Sequence, residues 1–294
     1  MTSRGQRVAG SLLAAFTSIV WGITFVSSKR LLAILSPLQL LGSRFLLGYL
    51  LLWVIHPHRL HVQENRDLLD FAGAGVFGVF LYYFLENVSL TYTYASNSSV
   101  IVSTAPMFTI LICSCCFHTP LKAKYLLGFC ISICGVCLIA FNGCQVLHLN
   151  PKGDVMALGA ACMWGFYSLF VTRLNRKGYD MISATRMMFC IALAGMVVAN
   201  VLKPAPWPVA VMCRFPALGH LLFLGCLASG ICFVTWNLAL KYAGVVRATV
   251  FIYASPVVTL IVGAVFLGER LTWMSLLGAF LAIGGMVFCG WKDR

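Results

Sequence analysis

Hydrophobic positions along this chain fall into long runs separated by short polar gaps. A helix needs about 20 consecutive apolar residues to cross the hydrocarbon core of a bilayer. Ten runs reach that length, at about 9–28, 37–55, 69–91, 95–117, 123–141, 153–173, 181–202, 217–241, 245–267 and 271–290. Pro37, Pro120 and Pro216 lie near predicted helix starts, where the missing N–H is tolerated. The pattern predicts an all-α membrane protein with ten transmembrane helices and no soluble domain.

Composition agrees with lipid as the solvent. Of 294 residues, 61% are hydrophobic and 10% are charged, against about 25% charged in a soluble domain. The net charge of +13 sits in the gaps between runs. That placement points to the anionic cytoplasmic leaflet as partner, not to nucleic acid. Arg4 and Arg7 precede the first run, which is long and followed by further runs, so it reads as a retained helix and not a cleaved signal. With the N-terminus inside, thirteen of the 21 Lys and Arg residues fall on the cytoplasmic side and six outside; Arg44 and Arg186 lie within helices. The bias predicts both termini in the cytoplasm, and the short loops suit a bacterial inner membrane. Cys130, Cys134 and Cys137 share a helical face. They read as small packing residues, with neither a metal site nor a disulfide framework indicated.

The two halves of the chain resemble each other. Val20-Trp21-Gly22 corresponds to Met163-Trp164-Gly165, each followed nine residues after the tryptophan by Arg-Leu. Ser43-Arg44-Phe45 corresponds to Thr185-Arg186-Met187. From the third helix onward the offset is constant at 150, pairing Asn87, Leu90, Tyr92 and Pro106 with Asn237, Leu240, Tyr242 and Pro256. Leu121, Gly128 and Gly135 pair with Leu271, Gly278 and Gly285. The repeats span residues 1–142 and 151–294. Five helices per half is an odd number, so the second half is expected upside down relative to the first. Inverted repeats are an architecture of secondary transporters, with a substrate site at the midplane.

These residues resemble the drug/metabolite transporter superfamily, in its ten-helix EamA-type branch. The resemblance rests on Trp21-Gly22, Leu85-Glu86-Asn87, and Tyr94-Ala95-Ser96 leading to Ala105-Pro106. In the second half it rests on Asn237-Leu238-Ala239-Leu240-Lys241-Tyr242, Ala254-Ser255-Pro256 and Gly268-Glu269-Arg270-Leu271. His118-Thr119-Pro120 departs from the pattern where the second half has Gly268-Glu269-Arg270. The resemblance implies transport of small metabolites, including amino acids. It also implies a central cavity lined by helices 1–4 and 6–9, with helices 5 and 10 peripheral.

Intramembrane ionisable groups are costly and mark candidate sites. Glu86 is the one carboxylate well inside a run, roughly 9 Å deep, and Arg44 lies roughly 10 Å from the same side. The two depths allow an ion pair fixing two helices; the rival reading makes Glu86 a proton-coupling carboxylate. The duplication places Trp236 opposite Glu86, which leaves Arg186 without a matching acid. Arg186 is then either bonded to helix carbonyls or an anchor for a substrate carboxylate. Ser96, Ser99, Ser103 and Pro106 share one helical face, matched by Thr249, Tyr253 and Pro256. Pro106 and Pro256 lie mid-helix, where proline kinks the chain and frees a carbonyl. Trp21 and Trp164, with Tyr82, Tyr83 and Tyr167, are candidate cavity walls, and Asn87 and Asn237 complete the candidate site.

The reading is a secondary transporter exporting a small amphipathic metabolite such as an amino acid by alternating access, with the proton as candidate coupling ion and no cofactor. The alternatives are a scaffold, receptor or lipid-translocating protein, or an intramembrane enzyme. The enzyme reading lacks a His-Glu-x-x-His motif, paired aspartates or Gly-x-Ser-x-Gly.

Overall fold

The computed structural model describes residues 4–93, 95–118, 123–140, 150–267 and 272–290. Tyr94, Thr119, Pro120, Leu121, Lys122, Gly268, Glu269, Arg270, Leu271, Lys292 and Arg294 lie outside them, as do the side chains of Ser96 and Asn97.

Within these residues the chain is helical and without strands. The first half contains α1 (Arg4–Leu31), α2 (Pro37–Ile55), α3 (Asp67–Tyr92), α4 (Ala95–Val102 continued by Ala105–Phe117) and α5 (Ala123–Ala140). The second contains α6 (Pro151–Arg176), α7 (Met181–Leu202), α8 (Ala217–Ala243), α9 (245–267) and α10 (Trp273–Gly290). Eight of these are long and apolar enough to cross a membrane, which makes the chain a multi-pass membrane protein. The described apolar stretches of α5 and α10 are shorter, Leu126–Gly135 and Leu276–Gly285.

Helix ends follow local chemistry. Ser36 and Gln39 form a reciprocal capping box at the start of α2, with Pro37 in its first turn. Asn150 and Asp180 cap α6 and α7 through side-chain oxygens. α1 and α6 run past the predicted ends because Lys29, Arg30, Arg173 and Arg176 occupy their last turns, where cations oppose the helix dipole. An apolar run stops at such residues, but the helix does not.

The interiors carry matched irregularities. α3 widens into a π-helical segment at Ala74–Leu81, and α8 does so at Phe223–Ile231, the equivalent place in the repeat. α4 is interrupted at Ser103 and Thr104, just before Pro106. α9 tightens into a 3₁₀ turn at Phe251–Tyr253, just before Pro256. Neither proline has an N–H, so the carbonyls of Val102 and Ile252, four residues earlier, lose their helical donor.

Counterpart helices run antiparallel where they touch. Near the start of α2, Gln39 bonds Pro206 beyond the end of α7, while His56, just past the end of α2, meets Arg186 near the start of α7. In α5 and α10, a Cβ on Gly135 would strike backbone of Gly278 and Ala282; one on Gly285 would strike Gly128 and Ser132. Ser132 donates to the carbonyl of Ala282, its own repeat mate, at 3.1 Å. A pseudo-two-fold axis therefore passes between α5 and α10, and the halves are inverted. The same exchange holds elsewhere: α1 packs on α8 and α9, and α6 packs on α3 and α4. Gly22 and Gly165 permit it, since a Cβ would meet Ser255 and Val258 in one case and Ile112 and Phe108 in the other.

Candidate functional site

Trp21 and Trp164 are repeat mates, and their rings meet edge to face at 5.1 Å where the halves join. Around them gather Tyr82, Phe233, Trp236 and Tyr167, a buried aromatic cluster. Against one side of the tryptophan pair lies a cavity of about 30 Å3. Glu86, Tyr82 and Tyr83 of α3 form one wall, and Ser99, Val102 and Ser103 of α4 form another. Trp21, Thr24 and Phe25 of α1, Trp164 of α6, and Ile252 and Ser255 of α9 close it.

Its position on one side of the axis has a cause in the sequence. Trp236 occupies the repeat position of Glu86, is fully buried, and packs on Trp21 at 5.2 Å. The indole fills the room that, beside Trp164, is left to the cavity. A second substitution acts on hydrogen bonding. Trp21 Nε1 donates to the carbonyl of Ala228, within the π-helical part of α8, at 3.0 Å. The matching acceptor for Trp164 would be Gly78. Three residues after each tryptophan stand Thr24 and Tyr167, and the Tyr167 ring lies so close over Gly78 that an added Cβ would come within 2.0 Å. Trp164 Nε1 is consequently buried without a partner, at the cavity wall.

Glu86 is 2% exposed, and its Oε1 is also without a partner. The ion pair that equal depth allowed is not formed. Arg44 donates Nε to Ser229 Oγ of α8 at 3.0 Å and lies over the Tyr83 ring at 4.3 Å. Equal depth fixes height along two helices but not the direction in which each side chain leaves its helix.

Three of the cavity's hydroxyls are committed as donors. Ser103 donates to the carbonyl of Ser99 at 2.7 Å, Thr24 to that of Trp21 at 2.6 Å, and Ser255 to that of Ser18 at 2.8 Å. Each keeps oxygen lone pairs for a further donor.

Of the sequence candidates, Glu86, Trp21, Trp164, Tyr82, Tyr83, Ser99 and Ser103 line this cavity. The others lie elsewhere. Arg186 donates to the carbonyls of His56 and His58 in the α2–α3 link and lies over the Trp53 ring at 4.0 Å. Asn237 accepts from Tyr167 Oη at 2.6 Å and donates to Thr185 at 2.9 Å, while Asn87 donates to the carbonyl of Pro37 at 3.2 Å. Tyr253 is buried beside Phe129 of α5, 6.3 Å between ring centres. Pro106 and Pro256 adjoin the helix irregularities already described. Sequence reasoning passed over Val102 and Ile252 as wall residues. Their position four residues before each proline is the signal that would have found them. A larger space of about 610 Å3 between α2, α7, α8 and the α7–α8 link has apolar walls such as Leu46, Met196 and Trp207 and, among the described residues, no charged one.

Comparison with known proteins agrees with this architecture. The profile of the EamA-like transporter family matches twice, at residues 8–141 and 151–291. An "uncharacterized transporter" of Archaeoglobus fulgidus is 26% identical over 94% of this chain and 95% of its own length. A "probable terminal-alkyne amino-acid exporter" of Streptantibioticus cattleyicolor is 29% identical over 76% of this chain and 73% of its own. A protein crystal structure with 19% identity has the same fold, with a TM-score of 0.76 over 96% of this chain and 98% of that one. Two family matches covering nearly the whole sequence, on halves that pack as inverted repeats, place the chain in the EamA-like transporter family of the drug/metabolite transporter superfamily.

Proposed function

We propose that this chain is a ten-span secondary transporter that exports a small amphipathic metabolite of amino-acid type by alternating access, with Glu86 coupling transport to protons. The observation that carries the reading is the cavity itself. It lies where two inverted halves meet, beside their paired tryptophans, and contains a buried carboxylate. Sites between inverted repeats serve alternating access because one half can rock against the other around them. At about 30 Å3 the cavity holds no more than a water or two, so a metabolite enters only when the halves part. Aromatic walls with few polar groups suit an amphipathic solute. The exporter relative supports the amino-acid class. In this reading α5 and α10 make up ten spans at the periphery, and the Lys and Arg bias supports both termini in the cytoplasm and the protein in the inner membrane.

The test is efflux of apolar amino acids from proteoliposomes with and without an imposed pH gradient. The gradient is expected to accelerate wild-type flux and to leave Glu86→Gln flux unchanged, with a loss of about tenfold or more in coupled rate. Equal gradient-driven flux in wild type and Glu86→Gln would reject the coupling role.

A further inference from the structure

Several polar groups around the cavity present acceptors to it, and the Tyr82 hydroxyl is bonded to Glu86. Glu86 Oε1 is buried without a donor. Thr24, Ser103 and Ser255 spend their protons on backbone carbonyls and present only lone pairs. Val102, a wall residue, has a carbonyl that lost its helical donor to Pro106, while the carbonyl of Ile252 takes the N–H of Ala254 instead. Among the described residues no Lys or Arg lines the space; Arg44 stands outside it, against the Tyr83 ring. The remaining walls are the rings of Trp21, Trp164, Tyr82, Tyr83 and Phe25. Aromatic faces attract a cation through the ring quadrupole, and more strongly where water is excluded.

Such a lining recognises a group with several N–H donors and a positive charge. We infer that the cavity binds the ammonium end of an apolar primary amine, with Glu86 as counter-ion. The unpartnered Trp164 Nε1 adds one donor to an acceptor-rich wall. It meets an acceptor on the same ligand, such as the carboxylate of an α-amino acid. The ligand is thus read from its amino end, and a carboxylate is an accessory and not the anchor. This rests on the proposed transport reading, whose substrate class it narrows.

The experiment measures binding to detergent-purified protein, by tryptophan fluorescence and thermal shift, without any flux. The probes are 2-phenylethylamine, its N-acetyl derivative, 3-phenylpropionate and phenylalanine. The amine and phenylalanine are expected to bind, and the acetylated and carboxylate-only probes to bind at least about tenfold more weakly, the weight of one charge-assisted hydrogen bond. Glu86→Gln is expected to lose about tenfold for the amine, and Glu86→Asp, which keeps the charge, to recover part of it. Trp164→Phe is expected to weaken phenylalanine more than the amine, which loses only part of one ring contact. Tighter binding of 3-phenylpropionate than of the amine overturns the inference, as does amine binding indifferent to Glu86→Gln. If Glu86→Gln fails to purify as a monodisperse species, the four probes on wild type decide alone. Amine binding without flux in proteoliposomes would sink the transport reading and leave the inference standing. Flux of solutes lacking an ammonium, with no amine binding, would do the reverse.

Discussion

The two ends at which the halves meet are related by the pseudo-two-fold axis but are closed by different chemistry. Where the α2–α3 link meets the α6–α7 link, the contact is ionic. Lys177 bridges Asp67 and Glu64, Tyr179 donates to Asp67, and Arg173 reaches Asp70 at 3.4 Å. Arg186 holds two carbonyls of the α2–α3 link, and His56 lies 3.3 Å from Asp180. Where the start of α2 meets the α7–α8 link, the contact is a single neutral hydrogen bond, Gln39 to Pro206, with the Trp207 ring against Gly42. Among the described residues no ion pair joins the halves there. The repeat-matched arginines show the divergence most clearly. Arg186 turns outward to bind a link, whereas Arg44 turns inward to Ser229 and Tyr83. In the proposed alternating-access cycle, water would replace the partners in the ionic seam on opening, so its pairs would hold the end shut at modest net cost to release. The opposite end is held by packing and by bonds to carbonyls, from Arg30 to Phe266 and from Asn150 to Tyr92 besides Gln39 to Pro206.

The arginines give the largest expected difference. Arg186→Met removes two charge-assisted bonds to backbone carbonyls and is expected to cost about 3 kcal/mol, read as a lower melting temperature and faster hydrogen exchange in residues 56–58. Arg44→Met is expected to stay within about 1 kcal/mol of wild type. Arg44 is wholly buried with both terminal nitrogens unpartnered, and an apolar replacement for such a charge is often neutral or stabilising. Equal losses in the two variants would show that the arginines hold the halves alike.

Asp67→Asn comes next. Its side chain is 1% exposed and serves both Lys177 and Tyr179, so the loss is expected at about 2 kcal/mol, tempered because Lys177 can turn to water. Gln39→Ala removes one neutral bond and half of a capping box at the opposite end, with an expected cost of about 1 kcal/mol and faster exchange in 203–216 alone. Exchange that rises at both ends in either variant would mean that the ends are not independent.

Much of this was legible in the sequence, because the signals concerned are one-dimensional. Pro37 marked the start of α2, and the run ending at Leu202 marked the end of α7. The constant offset of Asn87 to Asn237 and Pro106 to Pro256 exposed the repeat. The site was legible only where a residue was unusual by itself, as with Glu86, Trp21 and Trp164. Three features needed spatial knowledge. The Glu86–Arg44 pair fails on azimuth, which run lengths do not encode. The free Trp164 nitrogen depends on Tyr167 covering Gly78, a contact between different helices. The ionic seam was hidden because Asp67, Lys177 and Tyr179 stand near short links that a charge count treats only as inside or outside.

The smallest expected effect is a flat response to alkali. Lys177 lies beyond the end of α6, and its hydrogen bonds to Asp67 and Glu64 raise its pKa from the ordinary 10.5. A raised folded-state value means that its contribution is complete below the unfolded pKa and is lost only as pH climbs through the folded one. Asp180, the cap of α7, moves the other way. Burial alone would raise it, but hydrogen bonds from Ser183 and the charge of His56 bring it below 3.8. Its share is therefore present above that value and is lost only as pH falls through the lower folded one. Between about pH 7.5 and 9.5 neither group changes charge, so exchange protection of residues 176–180, corrected for intrinsic rate, is expected to stay constant. Any pH dependence of amine binding in that range then belongs to the cavity or to the amine's own titration and not to the seam. Protection that falls steadily across it would mean that the ion pairs do not hold this end closed, and packing would be left as the common cause of closure at both.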